Sequence, residues 1–174
     1  MKGRLVRSVR NAAFFLGLQL EPASAQSVTI ELEGQIPVSC GIEALASQIT
    51  LGDISRPGSK IVPFRVRCNT PFTFQLFSQN NALQTTWTGA VSTGFTNRVP
   101  YTVALQIPTN VGAVIGSCPS WGLRQASSTC AYPNSGEGIA LSGDALLTIS
   151  WASRKEPLAG SYNDVMMVVV GARL

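Results

Sequence analysis

The chain of 174 residues contains no histidine, and only 13% of its residues are charged. Without histidine, the Ser-His-Asp and Cys-His nucleophile arrangements cannot form, and the commonest metal ligand is missing. There are four cysteines, but no two stand in a CxxC pair, which removes the zinc-knuckle reading. The acids Asp53 and Asp144 follow Gly, and Asp164 follows Asn, which places them at turns or strand ends rather than in a catalytic carboxylate pair. Ser117 has no base near it in sequence to activate it. From these absences we expect no enzymatic activity, no cofactor and no metal. What is present is 45% apolar residues, too many for intrinsic disorder, with 16 Gly and 10 Pro as punctuation. The length suits one domain behind a short leader.

The leader is read from residues 1–25. Lys2, Arg4, Arg7 and Arg10 come first, then the apolar run Ala12 to Leu20, then Ala23-Ser24-Ala25 before Gln26. A basic start, a short apolar middle and a small-residue cleavage site describe a secretory signal peptide. A transmembrane helix needs about 20 apolar residues, roughly twice what is there. Removing residues 1–25 reduces 13 basic and 9 acidic residues to 9 and 8, so the net charge falls from +4 to +1. The exported part is therefore nearly neutral and has no basic stripe of the kind nucleic acid requires. Export also makes disulfides the expected state of Cys40, Cys68, Cys118 and Cys130. Four cysteines allow three pairings, and chain order favours Cys40–Cys68 with Cys118–Cys130.

Beyond the leader the hydrophobic period is two, not 3.6. From Val28 to Val38 every even position is apolar or Gly (Val28, Ile30, Leu32, Gly34, Ile36, Val38), and Thr29 to Gln35 are polar at odd positions. As a strand this segment would span about 35 Å. Further strands are expected at Gln48–Leu51, Lys60–Cys68, Phe72–Leu76, Tyr101–Ile107, Ala145–Trp151 and Asp164–Val170, separated by turn signals such as Arg56-Pro57-Gly58 and Pro133-Asn134-Ser135-Gly136. The stretch from Val111 to Ile139 breaks the rhythm and holds the second cysteine pair. The pattern as a whole argues an all-β Greek-key sandwich.

Three blocks of the chain, in order, resemble a known family. Gly34 to Cys40 resembles the start of a chaperone–usher fimbrial subunit, where an alternating extension with a central Gly runs into the first Cys. Thr50 to Ile54 followed by Pro63 to Cys68 is similar to the family's second block, which closes on the partner Cys. Leu158 to Val165, with the apolar run after it, resembles the final strand. Spore coat protein U-like secreted proteins share that last block and match it equally well. Two features depart from the pilin pattern: the chain ends on Arg173-Leu174, and the Cys118–Cys130 insert is extra.

The resemblance implies an immunoglobulin-like sandwich, residues 39–174, that lacks its final strand, with residues 26–38 as an N-terminal donor-strand extension. It implies a structural subunit of a surface fimbrium or pilus, exported to the periplasm and then to the cell surface. The partners would be a periplasmic chaperone, an outer-membrane usher and neighbouring subunits. Donor knobs would be Val28, Ile30, Leu32, Ile36 and Val38, with Gly34 where no side chain fits. On the apolar last run, Val165, Met167 and Val169 are the candidates to line the acceptor groove. Alternation alone does not separate donation from pairing within the same domain. The alternatives are a secreted coat or biofilm protein of the coat-U type and a carbohydrate-binding fimbrial adhesin. In the adhesin reading Trp87 and Trp121, in polar loop sequence, would contact a host or matrix glycan. Trp151 and Tyr162 are expected to pack, Tyr162 with its hydroxyl bonded to backbone.

Overall fold

The computed structural model describes residues 29–124, 127, 128, 130, 134–141 and 143–173. The leader and Val28 lie outside these residues. The chain divides into two units, one ending at Gln35 and the other running from Ile36 onward. In the first, residues 29–35 carry no strand, and Ile30 and Leu32 are exposed.

Among the described residues of the second unit, fourteen strands follow in order. They are β1 (Cys40–Glu43), β2 (Gly58–Cys68), β3 (Phe72–Ser78), β4 (Leu83–Thr85), β5 (Phe95–Thr96), β6 (Arg98–Val99) and β7 (Tyr101–Thr109). Then come β8 (Gly112–Pro119), β9 (Leu123–Arg124), β10 (Ser127–Ser128), β11 (Ala145–Trp151), β12 (Glu156–Pro157), β13 (Tyr162–Asn163) and β14 (Met166–Ala172). The described residues contain no α-helix; one 3-10 turn, Ser120–Gly122, joins β8 to β9.

The alternation in β2 shows why these segments are strands. Val62, Phe64, Val66 and Cys68 are buried, while Pro63, Arg65 and Arg67 face out. A period of two places the first set on one face and the second on the other. The main sheet is antiparallel, in the order β1-β2-β11-β7-β8. Pro63 is compatible with an interior strand because β1 pairs with β2 only from Arg65 to Cys68. At Pro63 one side of β2 has no neighbour, so a missing N–H breaks no ladder. Outside the core face, Arg65 pairs with Asp144 at 3.0 Å and Arg67 with Glu43 at 2.9 Å.

The second layer is the antiparallel pair β3–β14, beside the three-stranded β13-β4-β6 and the short parallel pair β12–β5. The two layers enclose one apolar core, in which the Phe64 and Phe74 rings meet with centroids 6.2 Å apart. The protein is an all-β sandwich. Cys40–Cys68 ties β1 to β2 and Cys118–Cys130 pins the segment after β8, the pairing expected from chain order.

Three sequence expectations change. Gln48–Leu51 forms no strand, because no neighbouring backbone is aligned with it. From Thr29 to Ser39 there is likewise no strand, although the alternation is strict. Conversely, the start of the stretch read as an excursion is β8, which forms a hairpin with β7 through a two-residue turn at Asn110-Val111. The Thr109 side chain braces that turn, its hydroxyl donating to the Gly112 carbonyl and accepting from the Val111 N–H. Gly-rich composition hid a strand there, since Gly112 and Gly116 interrupt the apolar alternation.

Candidate functional site

Along the last strand the core face is only half-covered. β14 pairs with β3 from Met166↔Ser78 to Ala172↔Phe72, and among the described residues its other edge has no ladder partner. Its partner β3 seals Phe72, Phe74 and Leu76 completely, yet the residues of β14 that face the core, Met166, Val168 and Val170, are only half-buried.

The opposing wall is built by the chain between β1 and β2. After Glu43 the backbone turns at Ala44, which adopts a left-handed conformation with φ +58°. This is an uncommon conformation for a residue with a Cβ and marks a sharp change of direction. Leu45, Ile49 and Leu51 then lie against the core without being sealed by it. Between this segment and β14 runs a groove of about 150 Å³. Leu45, Ile49 and Leu51 form one side, Met166 and Val168 the other, and Leu147 and Ile149 of β11 are among the residues beneath.

One end of the groove is fixed by Asp164. Its Oδ2 accepts hydrogen bonds from the Tyr101 hydroxyl at 2.7 Å and from the Ser78 hydroxyl. Its Oδ1 accepts from the backbone N–H groups of Asn80, at 2.9 Å, and Val165, at 2.8 Å. A single carboxylate thus joins β7 of one sheet to the end of β3 in the other and sets the start of β14. Nearby, the Tyr162 hydroxyl lies 2.9 Å from the Leu158 carbonyl and 3.1 Å from that of Thr96. Burial of its ring raises the Tyr162 pKa above the ordinary 10.0. At the far side of the wall Asp53 closes a turn, with its Oδ1 accepting from the Ser55 N–H at 2.9 Å. That bond and the Ser55 hydroxyl hold its carboxyl below 3.8.

The residues singled out from sequence divide around this groove. Val165, Met167 and Val169 do not line it: they point outward, and Met166 and Val168 take their place. The run is apolar on both faces, so its pattern carried no register, and a slip of one residue exchanges the faces. Ile36 and Val38 are exposed, and the Asn69 amide fixes the backbone beside Val38 by donating to the Pro37 carbonyl at 2.8 Å. A Cβ built on Gly34 would meet nothing. Trp151 is buried and donates from Nε1 to the Arg56 carbonyl at 2.9 Å. Trp87 and Trp121 are both exposed but sit apart in context. Trp87 lies over Gly89, whereas Trp121 shares a surface cleft with Trp151. Leu45 was not singled out from sequence, and Ile49 and Leu51, expected within a strand at Gln48–Leu51, line the groove without joining a ladder.

No protein-family model matches the chain, and no curated protein matches it in sequence.

Proposed function

We propose that the chain is an exported structural subunit of a surface fimbrium, assembled by donor-strand exchange through a periplasmic chaperone and an outer-membrane usher. The observation that carries this reading is the open edge of β14 above a half-exposed core face. An unpaired strand edge presents free N–H and C=O groups, and beside an apolar groove it forms a template for one more strand. In an immunoglobulin-like sandwich this is the position of the final strand.

The occupant we propose is the segment 28–38 of a neighbouring subunit, held before exchange by a chaperone strand. Its described apolar members, Ile30, Leu32, Ile36 and Val38, are between 54% and 90% exposed, so they have little burial among the described residues to give up. Adding such a strand is β-augmentation: the main chain supplies pairing and alternate side chains supply specificity. Burying these four side chains together with Val28 contributes on the order of 7–15 kcal/mol before the cost of association. Among the described residues nothing crowds Gly34, so the reason for a glycine there would be a close approach in the acceptor. The protein then acts by binding its own kind, and its location would be the periplasm in transit and the cell surface thereafter.

The test is thermal unfolding of the isolated subunit with an excess of a synthetic peptide copying residues 28–38. At about 100 times the dissociation constant, a ligand selective for the folded state adds about 2.7 kcal/mol. For a domain of this size that corresponds to a rise of about 5–10 °C in Tm. The same peptide with Gly34→Leu should give little or none of that rise. A subunit whose Tm ignores the native peptide would sink the proposal.

A further inference from the structure

We propose that the cleft beside Trp121 is a binding site for a neutral saccharide, independent of strand exchange. The cleft lies where the start of β7, the end of β8 and the end of β11 meet, and has a volume of about 310 Å³. This is at the small end of ligand sites and suits a single sugar ring. Pro100, Pro119 and Trp121 give it ring surfaces, Thr102 and Ser150 give it hydroxyls, Tyr101 and Trp151 border it as buried residues, and none of its described lining residues is charged.

Trp121 is presented rather than merely exposed. Its ring is 61% exposed, yet both of its neighbours, Ser120 and Gly122, are buried. Ser120 Oγ accepts from the Tyr101 N–H at 3.3 Å, and Cys118, two residues before it, is bridged to Cys130. The backbone is therefore anchored on both sides of a large aromatic that points to solvent. An isolated apolar ring held out in this way has little to gain from folding. It is preorganised for a ligand, because the ordering entropy has already been lost.

The surrounding sheet explains which ligand. The registers align three rows across β2, β11, β7 and β8: Ser59-Ser150-Thr102-Pro119, Ile61-Thr148-Ala104-Ser117 and Pro63-Leu146-Gln106-Ile115. No position in these rows is charged. The paired charges of this face, Arg65 with Asp144 and Arg67 with Glu43, lie beyond the third row. Along β2, Ser59 and Arg65 are about 20 Å apart. An anionic ligand would find no cation among the described residues that line the cleft, and a purely apolar ligand would leave the hydroxyls unpaired. A pyranose has an apolar C–H face for the indole and a rim of hydroxyls for Thr102 and Ser150, so it matches both halves of the lining.

The experiment is affinity electrophoresis of the purified chain through native gels cast with hydroxyethyl cellulose, with galactomannan or with the acidic polymer alginate. Migration should be slowed in a neutral gel and not in alginate. Trp121→Ala should weaken the interaction about tenfold, the equivalent of about 1.4 kcal/mol. Trp121→Phe should recover part of it, because a smaller ring still stacks, and Trp87→Ala should leave it unchanged. Retardation in alginate alone, in no gel, or equally in Trp121→Ala would overturn the site. None of these outcomes depends on the 28–38 peptide, so strand exchange and saccharide binding fail separately.

Discussion

β11 and β14 are both seven-residue strands rich in apolar residues, and they end in opposite situations. β11 lies between β2 and β7, and its inward residues Ala145, Leu147, Ile149 and Trp151 are sealed. β14 has β3 on one side only, and its inward residues stay half-open to solvent. The chemistry of the two strands is nearly the same. The difference is the number of neighbours, and it teaches that burial in a sandwich belongs to the pairing pattern rather than to the strand's own residues. It also separates the molecule into a side whose core face is sealed and a side whose core face stays half-open.

Truncating matched residues on the two sides should give the sharpest contrast. Leu147→Ala removes a fully buried side chain beneath the groove and should cost about 2–5 kcal/mol in urea unfolding. Val168→Ala, on the open side, should cost less than about 1 kcal/mol in the isolated chain, because its methyl groups are already partly hydrated. With the 28–38 peptide bound, the Val168 penalty should grow. Equal costs at the two sites without peptide would break the comparison.

Asp164 stands where the two sides meet. Asp164→Ala leaves the Tyr101 and Ser78 hydroxyls and two backbone N–H groups without that acceptor. Losing a shared acceptor of this kind should cost about 1–3 kcal/mol. It should also loosen the start of β14, read as faster amide exchange at Val165 and Met166. Unchanged exchange there would show that the carboxylate does not set the edge.

The smallest effect is a pH dependence at Tyr162. Its folded pKa is raised above 10.0 by burial, so over neutral pH both states keep the proton and nothing changes. As pH rises past 10.0 the unfolded chain loses its proton first, and stability should fall. Denaturation midpoints followed from pH 9 to 11 should show this decline in the parent, and Tyr162→Phe should reduce it. An identical decline in both would place the effect elsewhere.

Much of this architecture is legible in the residues, and the illegible parts share a cause. β2, β3, β7 and β11 are readable because one face is apolar and the other polar, which states both strand and orientation at once. β14 shows the strand but not the face, since Val165 to Val170 is apolar on both sides and either register satisfies the pattern. The groove wall was misread, since Ile49 and Leu51 fell in a strand expected at Gln48–Leu51, whereas the segment packs side chains without joining a ladder. Trp121 was recognisable as an exposed-loop aromatic, but the sequence separates it widely from Thr102, Ser150 and Trp151.

By itself, then, the sequence determined the period of two, the export-compatible cysteines and the core faces of the strands with mixed alternation. Those properties depend on neighbours along the chain. Only the tertiary structure decided which edge is left without a partner, which face of β14 looks into the groove, and which uncharged rows surround Trp121. Each of these depends on contacts between residues far apart in sequence, and a local pattern of side chains carries no record of which backbone will lie beside it.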